Sequence, residues 1–270
     1  MSDFSVNETE EMIGIFDSGV GGLTVVKEIK KKFPFETIIY FGDTARYPWG
    51  NKSQKMVQRY SDEIVKFLVS KKVNSIVIAC NTASTFAGNF LRKKYPRMKF
   101  YDVIDPVVDR IAKIRAERKK FDLRIGVIGT RGTIESGIYE QKIKKIDPTI
   151  KVFSQSCPLF VPLVEEGMTK GPIAELLVKG YLERFKKKKL DYLVLGCTHY
   201  PLLSKVIIGK IETQLISSAK EVAKKIKLED NGIRKEKDRY YFSDLNDYYQ
   251  RLVEKIMKQK VIAKKIKLIG

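Results

Sequence analysis

Short, almost wholly apolar runs bounded by turn residues alternate along this chain with longer stretches whose apolar positions recur at helical spacing. The first kind predicts buried strands at Ile13–Phe16, Thr37–Phe41, Ser75–Ala79, Lys99–Val103, Ile125–Ile128, Lys151–Ser154 and Tyr192–Leu195. The second predicts amphipathic helices at Leu23–Lys32, Ser53–Lys71, Ser84–Tyr95, Val107–Lys119, Gly137–Ile146, Ile173–Lys186 and Glu221–Lys227. The tail from Asp244 to Lys258 reads as one more helix. Alternating strand and helix predicts βαβ units, right-handed crossovers and parallel sheets. Ligands then belong in the crevice at the carboxyl ends of the strands.

A faint internal repeat runs through this pattern. Ile13-Gly14-Ile15-Phe16-Asp17-Ser18-Gly19 is echoed by Ile125-Gly126-Val127-Ile128-Gly129-Thr130. Ile76-Val77-Ile78-Ala79-Cys80-Asn81-Thr82 is echoed at nearly the same offset by Leu193-Val194-Leu195-Gly196-Cys197-Thr198-His199. Two corresponding strand ends carry a cysteine and two others a hydroxyl, Ser18 and Thr130. The order is the same in each half, which suggests related α/β halves facing each other.

Composition narrows the classes. At 270 residues and 43% hydrophobic, the chain can build one large or two ordinary α/β domains with a real core. No run approaches the ~18 apolar residues of a membrane span, and the polar, acidic start MSDFSVNETEEM is unlike a targeting peptide. A cytoplasmic location, with no membrane partner, is the expectation. The three cysteines do not suggest a disulfide framework. The single histidine leaves His-based metal sites and Ser-His-Asp triads one possible donor. The net charge is +20, from 52 Lys+Arg against 32 Asp+Glu. The lysines fall in runs (Lys30 to Lys32, Lys186 to Lys189, Lys264-Lys265) with little aromatic interleaving, the pattern of solvated helix faces. Nucleic acid is therefore not the expected partner, although a positive field helps to collect an anionic small molecule.

Cys80 and Cys197 each end a buried-strand run and precede small polar residues. A lone cysteine is usually an inert core residue, the reading accepted for Cys157. At a strand end, near a helix N-terminus that favours a thiolate, a thiol becomes a usable acid or base. Two such thiols suit racemisation, in which one group removes an α-proton and another supplies one to the opposite face. A disulfide exchanger would ordinarily show a Cys-x-x-Cys spacing, absent here. The turn Asp17-Ser18-Gly19-Val20-Gly21-Gly22 fails the dinucleotide fingerprint at Thr24 and lacks the Gly-Lys-Ser/Thr of a phosphate loop. Its N–H groups can still face an anion such as a carboxylate. Asp17 is either a helix N-cap or a partner for an ammonium or for the Cys80 thiol. His199 can assist Cys197; a zinc site on these two lacks further donors at informative spacing. The Gly42–Gly50 loop, with Pro48, Gly50 and the sole tryptophan Trp49, is either packed or one wall of a pocket.

Six stretches together resemble the bacterial glutamate racemases of the aspartate/glutamate racemase superfamily: IGIFDSGVGGLTV from Ile13, FGDTARYPWGNKS from Phe41, ACNTAS from Ala79, IGVIGT from Ile125, CPLFVPLVEEG from Cys157 and LGCTHYPLL from Leu195. The resemblance implies a cofactor-independent, metal-free isomerase that interconverts L- and D-glutamate for peptidoglycan synthesis, hence cell-wall biogenesis and cell shape. It implies two pseudo-symmetric α/β domains with mainly parallel sheets and the active site in the cleft between them. Residues 1–104 plus 217–270 would form the first, discontinuous domain and 105–216 the second, and the chain would pair as a homodimer. Cys80 and Cys197 match the catalytic thiols, Asp17 and Ser18 lie beside the first, and His199 lies beside the second. Asn81, Thr82, Thr130 and Thr198 match positions that bind the substrate's amino and carboxylate groups. Pro48 and Gly50 match a Pro-Tyr-Gly loop that holds the side-chain carboxylate, and Glu165 matches an acid near the site. Trp49 stands where that loop usually has tyrosine, and Ser217 where an aspartate is usual. Trp49 keeps a preference for aspartate or a related acid open as the alternative, and the lysine excess keeps nucleic-acid binding open as an additional role.

Overall fold

The computed structural model describes residues 12–118, 122–227 and 236–268. The N-terminal segment read above as polar, Lys119 at the end of one predicted helix, and part of the expected 217–270 segment lie outside the described residues. The first half runs β1 (Met12–Asp17), α1 (Leu23–Lys32), β2 (Thr37–Gly42), α2 (Gln54–Ser70), β3 (Ser75–Ile78), α3 (Asn81–Lys94), β4 (Lys99–Asp102) and α4 (Asp105–Glu117). The second runs β5 (Arg124–Gly129), α5 (Arg131–Glu135), α6 (Ile138–Ile146), β6 (Lys151–Ser156), α7 (Phe160–Glu165), α8 (Pro172–Leu182), β7 (Tyr192–Gly196), α9 (Ser204–Ile208) and β8 (Gln214–Ser217). The chain then returns through α10 (Ser218–Lys225), β9 (Arg239–Phe242), α11 (Asp247–Met257) and β10 (Ala263–Lys265).

Two separate sheets result. One has six strands in the order β10-β9-β2-β1-β3-β4, the other four in the order β6-β5-β7-β8, and every strand pair described is parallel. Both faces of each sheet are covered by helices. That is why β1, β2, β3 and β7 read as unbroken apolar runs instead of alternating ones. In the six-stranded sheet, α1, α10 and α11 bury Val26, Val222 and Val253 on one face, while α2 and α3 bury Ile64 and Leu91 on the other. In the four-stranded sheet, α7 and α8 cover one face through Phe160 and Val178, and α4 and α6 the other through Ile111 and Ile143.

The two strand orders place function. In each sheet the chain steps from a central strand to one side, then crosses to the other, so a crevice opens between β1 and β3 and, equivalently, between β5 and β7. Asp17 and Cys80 stand at the first crevice, Thr130 and Cys197 at the second.

Where expected and observed elements differ, local chemistry accounts for it. Helix α3 starts at Asn81, not Ser84, because the Cys80 side chain is itself the N-cap and accepts from the Ala83 N–H at 3.5 Å. Helix α8 ends at Leu182, and residues 183–188 tighten into a 3₁₀ turn that buries Phe185. Strands β8, β9 and β10 escape the hydrophobic pattern because they are short and carry polar residues, down to Ala-Lys-Lys at the sheet edge. Helices α5, α7 and α9 span too few turns to show a period. The lysine runs lie largely at helix ends, several with a Glu three residues away, as in Lys31–Glu28 and Lys186–Glu183.

Candidate active site

One cavity of about 290 Å³ opens between the two sheets and is lined from both. Loops after β1, β2 and β3 contribute Ser18, Pro48, Trp49, Gly50, Cys80, Asn81 and Thr82, and loops after β5 and β7 contribute Thr130, Cys197, Thr198 and His199. Both thiols therefore face one space, each supplied by the end of a different sheet. Asp17 and Glu165 do not line it; they stand one layer behind, holding residues that do.

Asp17 is fully buried at the end of β1. Its Oδ2 accepts the Gly19 N–H at 3.1 Å and its Oδ1 accepts the Thr198 hydroxyl at 3.2 Å, so it joins the two halves. The N-cap position of α1 is Gly22, not Asp17. Burial raises the Asp17 carboxyl above its ordinary range, opposed by the charge of His199 and by the donors around it.

The glycine-rich turn serves close approach. A Cβ on Gly21 would lie 2.5 Å from both His199 Cε1 and Thr198 Oγ1, so only glycine lets the second half's loop seat here. Thr24, where a dinucleotide site needs its third glycine, places Oγ1 2.9 Å from the Thr198 carbonyl and fastens the same contact. At the opposite wall Gly50 leaves room for Thr130, whose Cβ would lie 2.7 Å from a Cβ on Gly50.

The two thiols have different partners. Cys80 Sγ lies 3.6 Å from Ser18 Oγ and at the N-terminus of α3. Burial, then the neighbouring Asp17 charge, pushes the Cys80 thiol up to about 12, against the Ala83 N–H and Ser18, which pull it down. Cys197 Sγ lies 3.8 Å from His199 Nδ1, and His199 Nε2 lies 2.9 Å from Glu165 Oε1. Burial disfavours the imidazolium, but the bonds to Cys197 and Glu165 outweigh it, and His199 is raised well above the ordinary histidine range. Buried Cys157 is raised by desolvation and sits in the core beneath α7, outside the cavity lining.

The remaining candidates form polar bridges. Thr82 and Thr130 hydroxyls meet at 3.0 Å across the cleft, and Thr130 also meets Thr133 at 3.0 Å. Asn81 accepts from Tyr139 at 2.7 Å and donates to Ser218 at 3.3 Å, which leaves its second amide proton for a ligand. Ser218, next to the unexpected Ser217, in turn donates to the Leu195 carbonyl at 3.2 Å. Trp49 is 1% exposed and packs against Tyr60 at a ring distance of 5.7 Å, so its indole acts chiefly as a packing group of the loop. Among the described residues no three His, Cys, Asp or Glu side chains gather into a set that could hold a metal ion.

Sequence reasoning did not single out Tyr47, Arg131, Leu159, Val161 or Pro162, which also line the cavity. Leu159 to Pro162 carry no reactive group, and only their place within a family-like stretch marks them. Tyr47 is signalled by its position before Pro48. Arg131 is the one lining residue with a permanently charged side chain.

The Asp/Glu/Hydantoin racemase family matches residues 13–226. The chain is 50% identical over 215 residues to the glutamate racemase of Geobacter metallireducens, covering 78% of this chain and 77% of that protein. It is 44% identical to the glutamate racemase of Persephonella marina, over 95% of this chain and 97% of the other. Its fold is similar to the crystal structure of glutamate racemase from Francisella tularensis in complex with D-glutamate, with a TM-score of 0.86, 34% identity, and coverage of 96% and 98%.

Proposed function

The chain belongs to the Asp/Glu/Hydantoin racemase family, and we infer that its two-walled cavity interconverts L- and D-glutamate with Cys80 and Cys197 as the acid and base. It is an isomerase, a glutamate racemase in activity, and it serves peptidoglycan synthesis as a source of D-glutamate. One observation carries the mechanism: two strand-end thiols, one from each sheet, border a single cavity of small-molecule size.

In each direction the thiolate of one cysteine takes the α-proton, and the electron pair left on Cα spreads into the α-carboxylate. The thiol of the other cysteine then delivers its proton to the opposite face. The enzyme finishes with the two protonation states exchanged. His199, raised well above the ordinary histidine range, stands beside Cys197, while burial pushes the Cys80 thiol up to about 12. Ser18 and Asp17 attend Cys80, and His199 with Glu165 attends Cys197. Asn81, Thr82, Thr130 and Thr198 offer donors for the α-carboxylate and acceptors for the ammonium. The backbone of Pro48, Trp49 and Gly50 closes over the side-chain carboxylate. No step calls for a cofactor.

The proposed division assigns residues 1–104 and 217–270 to one domain and 105–216 to the other, in keeping with the strand membership of the two sheets except at Ser217, which ends β8 on the four-stranded one. We assign the enzyme to the cytoplasm, in keeping with three unpaired cysteines; no helix among the described residues is long and apolar enough to cross a membrane. It pairs as a homodimer; the exposed apolar stripe of Ile173 and Leu176 on α8 suits a second copy, and sedimentation equilibrium tests it.

The deciding assay incubates the purified protein with L-glutamate in heavy water, without additives. Deuterium is expected at Cα of the D-product. Cys80→Ser and Cys197→Ser should each lower racemisation by at least ~10³-fold, the scale of losing a positioned acid or base. Full activity in either variant refutes the two-thiol mechanism. A higher kcat/KM for aspartate than for glutamate refutes the substrate assignment.

A further inference from the structure

The Glu165 carboxylate uses both of its oxygens. Oε1 meets His199 Nε2 at 2.9 Å, and Oε2 accepts the hydroxyl of Tyr249 at 3.2 Å. Next to it, the Tyr248 hydroxyl donates to the Glu165 backbone carbonyl. Glu165 ends α7 on the four-stranded sheet, whereas both tyrosines open α11 on the six-stranded one. That helix has a firm footing: Asn246 caps it by accepting the Tyr249 N–H at 2.9 Å, and Leu252, Val253, Ile256 and Met257 are buried in the core.

We propose that Tyr249 is a positioning residue, whose hydroxyl fixes the Glu165 carboxylate across the cleft and so holds His199 beside Cys197. The inference rests on the reading of Cys197 and His199 as an acid–base pair. A carboxylate with one oxygen free can rotate and lengthen its bond to the imidazole; one held at both oxygens cannot. A neutral phenol suits the task better than a lysine or arginine. A second cation would compete with His199 for the same negative charge, whereas the phenol constrains the carboxylate and leaves that charge to the imidazolium. The titratable groups around Glu165, His199 and Tyr249 are Asp17, Tyr40 and Tyr47 from the first half, Cys197 and Glu166 from the second, and Asp244 and Tyr248 from the tail. Because the hold crosses the cleft, it is made only when the two halves are together, and it ties closure to assembly of the Cys197 side.

His199 is the chain's only histidine, so the imidazole resonances of untagged protein need no assignment. In Tyr249→Phe the ring packing stays and one hydroxyl goes. The Nε2–H signal is expected to move upfield and exchange faster with water, and the alkaline limb of the pH–kcat profile to move to lower pH. The kcat should fall roughly tenfold, equivalent to ~1.4 kcal/mol, with KM within about twofold. Tyr248→Phe, which releases only a backbone contact, should leave the Nε2–H shift in place. An unchanged Tyr249→Phe enzyme overturns the proposal. So does one that slows while its imidazole signals stay as in the wild type, or a Tyr248→Phe variant with the same spectral change. A wild-type protein that leaves glutamate unracemised overturns the functional reading instead, and the imidazole spectra still report whether Tyr249 holds Glu165.

Discussion

Gly21→Ala tests the account of the glycine-rich turn. The added methyl would stand 2.5 Å from His199 Cε1 and from Thr198 Oγ1, against the 3.4 Å at which ordinary contact begins. Relief requires a shift of 3.4 less 2.5, close to 1 Å. Neither neighbour is a loose surface group: His199 and Thr198 are both 2% exposed, and each is hydrogen-bonded, to Glu165 and to Asp17. The shift must therefore come from His199 leaving Cys197 or from the two halves standing further apart. Misplacing a catalytic group by ~1 Å costs about 10²-fold in rate, and overpacking of this kind costs roughly 1–3 kcal/mol in stability. The expected result is a kcat lower by about two orders of magnitude with a Tm lower by several degrees. The assay is circular dichroism of glutamate in both directions, with thermal melting beside it. Gly180→Ala is the internal standard. A Cβ there meets nothing within 4 Å, and alanine in mid-helix is favoured by roughly 0.5–1 kcal/mol. If Gly21→Ala racemises within about threefold of wild type while folding normally, the close-approach argument is wrong, and the turn acts through its backbone amides instead.

Three further outcomes follow from the same geometry. The Cys80 thiol is raised from 9.0 in the unfolded reference to about 12 in the fold, so the unfolded chain releases this proton first as pH rises. Stability should fall across that window, and urea midpoints at pH 8, 9 and 10 should fall less steeply in Cys80→Ser than in wild type. Trp49→Tyr should destabilise through a smaller ring against Tyr60, by roughly 1–3 kcal/mol, yet leave KM for glutamate within about threefold; a larger KM change would make the indole a substrate contact. Gly180→Ala itself should raise Tm by a few degrees with kcat unchanged, and a loss of activity would mean that α8 is coupled to the cleft.

Much of this enzyme was legible in the sequence. The βαβ rhythm follows from strands buried on both faces, since a run such as Ile76-Val77-Ile78 has no solvent side to mark with polar residues. The return of the chain to the first sheet was legible as two helices, Glu221–Lys227 and the tail helix, but not as strands. Strand β8 is short and polar at its ends, β9 pairs with β2 from the far end of the chain, and β10 holds its edge with Ala-Lys-Lys. Their pairing is a tertiary fact that no local pattern carries. The site divides the same way. Cysteine, aspartate and histidine announce themselves by chemistry, so Cys80, Cys197, Asp17 and His199 could be picked out. Leu159 and Val161 owe their places to packing, and Tyr249 to a hydrogen bond with a residue distant in sequence, and none of them could. The distinction between lining the cavity and standing behind it was equally hidden: Asp17 and Glu165 have the chemistry of substrate ligands but the position of supports.

The repeat that made the two cysteines a pair also shows where the halves cease to be alike. Each thiol ends a strand beside a switch-point crevice, but Cys80 has a neutral hydroxyl and a nearby carboxylate for neighbours, whereas Cys197 has an imidazolium backed by Glu165. In the proposed mechanism the two directions therefore start from walls of different character. Each enantiomer must meet the protonation state that turnover of the other leaves behind. Because enantiomers have equal free energy, kcat/KM must be the same in both directions, so this inequality cannot appear there. It must appear in kcat and KM separately, which change together between the two substrates. The electrostatics of the two walls thus set how tightly each enantiomer is held and how fast it turns over, while the equilibrium between them is left untouched.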